Sequence, residues 1–155
     1  MPMSSPARGG RAAANPASRS IGYLVRYGYR AFARTISVEL QPYDITSGQW
    51  SVLRVLWEDE GLSQVELAER MRVEKASLTG VLDAMEKHGL ILRTRNTQDR
   101  RKVNIHLTNR ARALKDRLLP FIGKITRKAT RGMSNGDVET LRRLLTQVID
   151  NLERD

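Results

Sequence analysis

The chain has 155 residues, enough for one domain with a real core, and its 27 Lys and Arg outnumber 17 Asp and Glu to leave a formal charge of +10. A pI near 10.6 selects a polyanionic partner, nucleic acid before an anionic membrane surface. The absence of cysteine excludes a disulfide framework, a thiol nucleophile, a cysteine redox sensor and a cysteine-based zinc site, and His88 and His106 are too few for a multi-histidine metal centre.

Residues 1–19 hold Arg8, Arg11 and Arg19, no acid and no large apolar residue beyond two methionines, so they read as a disordered basic arm. They lack a secretory apolar segment, and no run in the chain approaches the ~20 apolar residues needed to cross a bilayer. The expectation is a cytoplasmic, nucleoid-associated protein with no membrane partner. From Ser20, Ile21, Leu24, Val25, Phe32, Ile36 and Leu40 recur at helical steps until Pro42. Thr46 to Gln49 and Ser63 to Glu66 each fit a capping box, the first opening a helix with Trp50, Leu53, Leu56 and Trp57, the second one with Leu67, Ala68 and Met71 inward. After a turn at Val73-Glu74 another helix runs to about His88, where Gly89 stops it.

Leu90 to Arg95 and Lys102 to Leu107 flank the tip Asn96-Thr97-Gln98-Asp99 and read as a two-stranded hairpin. Thr108 caps a long helix that Pro120 bends and Gly132 ends. Ser134 opens a last helix whose Val138, Leu141, Leu145, Val148 and Leu152 step 3-4-3-4, a narrow seam suited to a partner helix. The fold class is therefore mainly α with a small β-hairpin wing: a winged helix-turn-helix over residues 46–108, flanked by dimerisation helices over 20–45 and 109–155.

The second helix of such a unit fits the major groove. With Leu78, Leu82 and Met85 inward and Val81 beside them, its outer face carries Ala76, Thr79, Gly80, Asp83 and Lys87, flanked by Lys75 and Ser77. Small residues at 76 and 80 allow close approach to base edges, and Ser77 and Thr79 offer hydroxyls. Asp83 is expected to pair with a neighbouring cation. On the hairpin, Arg93, Arg95, Arg100, Arg101 and Lys102 crowd within ten residues against Asp99 alone, which is expected to hold Arg101. Such a cluster suits phosphates or the minor groove.

Asp99-Arg100-Arg101 followed by Ile105-His106-Leu107-Thr108 resembles the DxR…VxLT wing signature of the multiple antibiotic resistance regulator (MarR) family. Gln49 to Leu53, Leu67-Ala68 and Leu82 to Leu90 match in register, so the resemblance covers about residues 20–153. It implies a homodimeric regulator, most often a repressor, that binds a pseudopalindromic double-stranded DNA and leaves it on binding a small ligand, often an aromatic acid. By the same resemblance Ser77, Thr79 and Gly80 face the major groove and Arg101 the minor groove.

Seven of the eight aromatics lie between Tyr23 and Trp57. Tyr23, Tyr27 and Arg30 share one helix face, and with Trp50 they could hold an aromatic carboxylate by stacking and charge; they could equally pack a dimer core. The resemblance adds Tyr29-Arg30-Ala31 and Arg93 as effector-lining positions. The expected ligand set is thus Tyr23, Tyr27, Arg30, Trp50 and Arg93. The rival functions are a ligand-independent or architectural DNA-binding protein, which charge alone would permit, and an enzyme, for which no catalytic constellation, cofactor motif or metal site is evident.

Overall fold

The computed structural model describes residues 19–154; apart from Arg19, the basic arm expected over 1–19 lies outside the described residues. Seven helices and one hairpin follow in order: α1 (Ile21–Leu40), α2 (Ser47–Glu58), α3 (Gln64–Met71), α4 (Lys75–Lys87), β1 (Ile91–Arg95), β2 (Val103–Leu107), α5 (Asn109–Leu118), α6 (Pro120–Ala129) and α7 (Asn135–Glu153). No described helix is long and apolar enough to cross a membrane.

Local chemistry sets most boundaries. Ser20 caps α1 by accepting from the Tyr23 amide, and α1 gives way to a 3-10 turn at Gln41–Tyr43 that Pro42 and the left-handed Asp44 close. Reciprocal capping boxes open α2 (Thr46 with Gln49), α3 (Ser63 with Glu66) and α7 (Ser134 with Asp137). Pro120 has no amide to donate, so the long helix divides into α5 and α6 while Leu119 keeps helical geometry between them.

The core gathers around α2. Val52, Leu53 and Leu56 pack with Leu40 of α1, Leu67 of α3, Leu82 and Met85 of α4 and Leu118 of α5, all essentially inaccessible. Full burial of each such side chain contributes about 1.5–3 kcal/mol. The Trp57 indole N–H donates to the Ala111 carbonyl at 3.0 Å, tying α2 to α5.

β1 and β2 pair antiparallel, Ile91 opposite Leu107 and Arg95 opposite Val103. Residues 61–63 add a short third edge that periodicity gave no sign of. The Gly61 amide donates to the Ile105 carbonyl, the Ile105 amide to Leu62, and Ser63 bridges Asn104. Gly61 sits at φ +86, where the backbone favours glycine, and His106 Cε1 is 3.2 Å from where a Cβ would stand, so a side chain there would also push on the imidazole.

Beside this edge Glu60 accepts from the Leu107 amide at 2.9 Å and from Arg112 of α5, with His106 Nδ1 3.8 Å away. The Arg112 hydrogen bond, aided by the Leu107 amide, outweighs partial burial and holds the Glu60 carboxyl below its ordinary 4.5. A carboxylate with a depressed folded pKa adds stability above its unfolded pKa and loses it as pH falls through the folded one. Glu60→Gln should therefore melt below wild type at neutral pH, with the gap closing on acidification below pH 4.5. Equal gaps at pH 7 and pH 3 in thermal melts would remove charge from this account.

α7 stands apart. None of its side chains is buried: Leu141, Leu144, Leu145 and Ile149 remain 41–45% exposed and Leu152 78%. Ile21, Leu24, Val25 and Phe32 of α1 are also exposed. Of the stripe expected on the last helix, Leu141, Leu145 and Leu152 are exposed while Val138 and Val148 are half-buried; on the first helix Leu24, Val25 and Phe32 are exposed, but Ile36 and Leu40 turn into the core.

Candidate nucleic-acid interface and effector cavity

α3 and α4 meet through the turn Arg72-Val73-Glu74, where Arg72 adopts the left-handed conformation. Packing Leu78, Leu82 and Met85 against the core turns the other face of α4 outward, so Lys75, Ala76, Ser77, Thr79 and Gly80 are all exposed as the periodicity required. A Cβ built on Gly80 would meet nothing within 4 Å. Among the described residues no neighbour explains a mid-helix glycine that costs about 1 kcal/mol relative to Ala.

Asp83 pairs with a cation as expected, and that cation is Arg93 of β1, Nη2 to Oδ1 at 2.5 Å. Arg93 Nε also lies 3.2 Å from Glu86. Asp83 and Glu86 stand one helical turn apart facing β1, so Arg93 braces the wing against α4. Arg93 was expected to line an effector pocket; here its guanidinium lies against two carboxylates, and it is not on the lining of the α1–α2–α6 cavity described below.

At the wing tip Asn96 Oδ1 accepts from the Gln98 and Asp99 amides, and Asp99 Oδ1 accepts from the Arg101 amide at 3.0 Å. Asp99 thus holds the backbone of Arg101 and leaves its guanidinium free. Among the described residues Arg95, Arg100 and Arg101 are exposed and carry no ion pair, while Lys102 Nζ lies 3.9 Å from Glu66. Three uncompensated arginines therefore stand on the wing, and Arg101 lines the same surface groove as Lys75 at the start of α4. Gln64, which the sequence reading did not single out, connects the two helices: its side-chain amide reaches Thr79 Oγ1 at 3.2 Å and the Lys75 carbonyl at 3.4 Å. Nothing in the local pattern of residue 64 announces a partner fifteen residues on.

A cavity of about 260 Å³ opens between α1, α2 and α6. Phe32, Ile36, Trp50, Ile122 and Ile125 give it apolar walls, Tyr29 and Thr126 add hydroxyls, and Arg54 is the one cation on its lining, with no carboxylate there. Trp50 lies where a ligand residue was expected. Tyr23, Tyr27 and Arg30, also expected to hold a ligand, do not line this cavity. Tyr23 and Tyr27 stack on each other at 4.2 Å, and the Arg30 guanidinium sits 5.5 Å from the Tyr27 ring centroid. The three satisfy one another along the helix surface, whereas α1 turns Tyr29, Phe32 and Ile36 (i, i+3, i+7) toward α2 and α6. Among the described residues no three potential metal-ligating side chains cluster.

The family model described as MarR family matches residues 45–103, which take in α2, α3, α4 and most of the wing. The homoprotocatechuate degradative operon repressor of Escherichia coli is 33% identical over 107 residues, covering 69% of this chain and 72% of that protein. The chain belongs to the MarR family. Its winged helix-turn-helix architecture is the fold expected above. A MarR variant from E. coli complexed with operator DNA superimposes with TM-score 0.77 at 28% identity, covering 83% of this chain and 92% of that one. Bordetella bronchiseptica BpsR, a protein whose DNA binding is regulated by 6-hydroxynicotinic acid, gives 0.78 at 26%, covering 86% and 95%. The chain spans about half the length of two other curated relatives it matches, both described as HTH-type transcriptional regulators or repressors.

Proposed function

We propose that this MarR-family chain acts in the cytoplasm as a homodimeric repressor that binds a pseudopalindromic DNA operator and releases it when a small aromatic acid enters the α1–α2–α6 cavity. The observation that carries the DNA reading is the pairing of two exposed features, an α4 face of Lys75, Ala76, Ser77, Thr79 and Gly80 and a wing presenting Arg95, Arg100 and Arg101 without counter-charges, with Lys75 and Arg101 on one groove. The small face suits base edges in the major groove, the arginines suit phosphate or the narrow minor groove, and Lys102 adds to the same field. Support for sequence-specific over architectural binding comes from a relative described as an operon repressor and a structural neighbour solved on operator DNA.

The two exposed apolar stripes, on α1 and α7, support the dimer. On this reading residues 46–108 touch DNA, while residues 20–45 and 109–155 pair the protomers. The effector reading rests on the cavity: apolar and aromatic walls with Arg54 as the lone cation suit a planar ring bearing one carboxylate. Because α1 and α6 lie in the pairing region and α2 in the reading region, a ligand wedged among them fixes the spacing of the two α4 helices. It acts only through differential affinity, about 5.5 kcal/mol for a swing from 1:99 to 99:1.

The test begins with selection of a binding site from a randomised duplex pool, followed by titration of the complex with benzoate-like, hydroxylated and nitrogen-heterocyclic acids. Wild type should select a two-fold symmetric site, with log K falling by about 0.9 per log unit of salt for each neutralised phosphate. Arg54→Ala should need at least tenfold more acid for release, corresponding to loss of about 1.4 kcal/mol from a charge-assisted bond. Arg30→Ala should respond as wild type does. The reverse pattern would return the carboxylate to the outer face of α1.

A further inference from the structure

A free threonine hydroxyl is both donor and acceptor, and so discriminates weakly between base edges. On α4 that ambiguity is reduced. Six helical hydroxyls elsewhere, at Thr35, Ser37, Ser51, Thr126, Thr130 and Thr146, donate to the carbonyl four residues back. Thr79 makes no such bond; the corresponding carbonyl, that of Lys75, instead lies 3.4 Å from the Gln64 side-chain amide. A carbonyl only accepts, so the Gln64 atom facing it is the nitrogen. The same nitrogen stands 3.2 Å from Thr79 Oγ1, and that bond therefore runs from Gln64 to Thr79. The hydroxyl accepts from inside the protein with one of its two lone pairs, which leaves its proton and a single lone pair for the outward side, where Thr79 is exposed, and shifts the balance there toward donation.

We propose that Gln64 biases the Thr79 hydroxyl toward donating outward, which makes Thr79 a preferential reader of keto base edges (guanine O6 or thymine O4) and Gln64 a positioning residue acting through it. Guanine presents O6 and N7 acceptors and thymine presents O4, whereas cytosine offers an amino donor and adenine sets one beside its N7. A hydroxyl biased toward donation finds a keto acceptor on each of the first pair, whereas cytosine offers it only an amino group and adenine only N7 beside one. The inference rests on the DNA-binding reading and adds to it a preference at one position of each half-site.

The experiment is site selection from a randomised duplex pool by wild type, Thr79→Val, Thr79→Ser and Gln64→Leu, with thermal melts and salt-dependent affinities alongside. Wild type should favour G or T over A or C at one position per half-site by about fivefold, the worth of one hydrogen bond. Thr79→Val should flatten that position, and Thr79→Ser should keep it. Gln64→Leu should flatten the same position and no other, because its hydroxyl again donates or accepts, with the salt slope unchanged. The proposal falls if Thr79→Val leaves the profile intact, if Gln64→Leu retains the keto preference, or if Gln64→Leu relaxes positions throughout the site. A wild-type protein that selects no sequence would instead overturn the operator reading itself.

Discussion

Leu145→Asp should sediment as a 17.6 kDa monomer at micromolar concentration and lose about 10²–10⁴-fold in affinity for a two-half-site duplex. Leu145 lies at the middle of the α7 stripe and is 41% exposed in the single chain. In a dimer joined along α1 and α7 each carboxylate would be carried out of water opposite apolar side chains, twice per interface. The affinity loss has a separate origin. Two linked α4 helices bind the second half-site at a high effective concentration, and separate chains do not. Affinity for one half-site should be unchanged, since the core around α2 makes no use of Leu145. A folded, dimeric Leu145→Asp protein would move the interface off α7.

Gly80→Ala should stabilise the free protein and cripple it on DNA. The Cβ meets nothing within 4 Å, so the helix gains about 1 kcal/mol from propensity alone. If the exposed face of α4 lies against base edges, the same methyl overpacks a close contact, at about 1–3 kcal/mol for each helix. Two copies in a dimer bring the loss of affinity to the order of a hundredfold. Opposite signs from a single methyl are the diagnostic: a higher melting temperature with unchanged operator affinity would mean that Gly80 does not approach the duplex.

Most elements were legible because their signals are local. The Thr46–Gln49 and Ser63–Glu66 boxes, the stop at Gly89 and the basic hairpin tip each depend on residues within a few positions, and each stands where expected. Choosing among the faces of α1 was not a local matter. Tyr23, Tyr27 and Arg30 make a coherent stripe, and so do Tyr29, Phe32 and Ile36; only the placement of α2 and α6 decides which stripe borders a cavity. Arg93 was counted with the free wing cations because its partners, Asp83 and Glu86, belong to another element. Arg54 went unnoticed for a similar reason: a single arginine between Leu53 and Val55 looks like an ordinary solvated position until Ile122 and Ile125 are brought opposite it.

The two tryptophans make the protein its own optical instrument. Trp50 borders the cavity, while Trp57 is buried with its indole bonded to Ala111, and the rings meet edge to face at 5.8 Å. No other tryptophan exists in the chain to dilute their emission. An aromatic acid seated against Trp50 quenches one fluorophore directly and perturbs its excitation exchange with the other, so occupancy can be followed without a label or DNA. In Trp57→Phe the emission would come from Trp50 alone, separating filling of the cavity from any movement of α2 against α5.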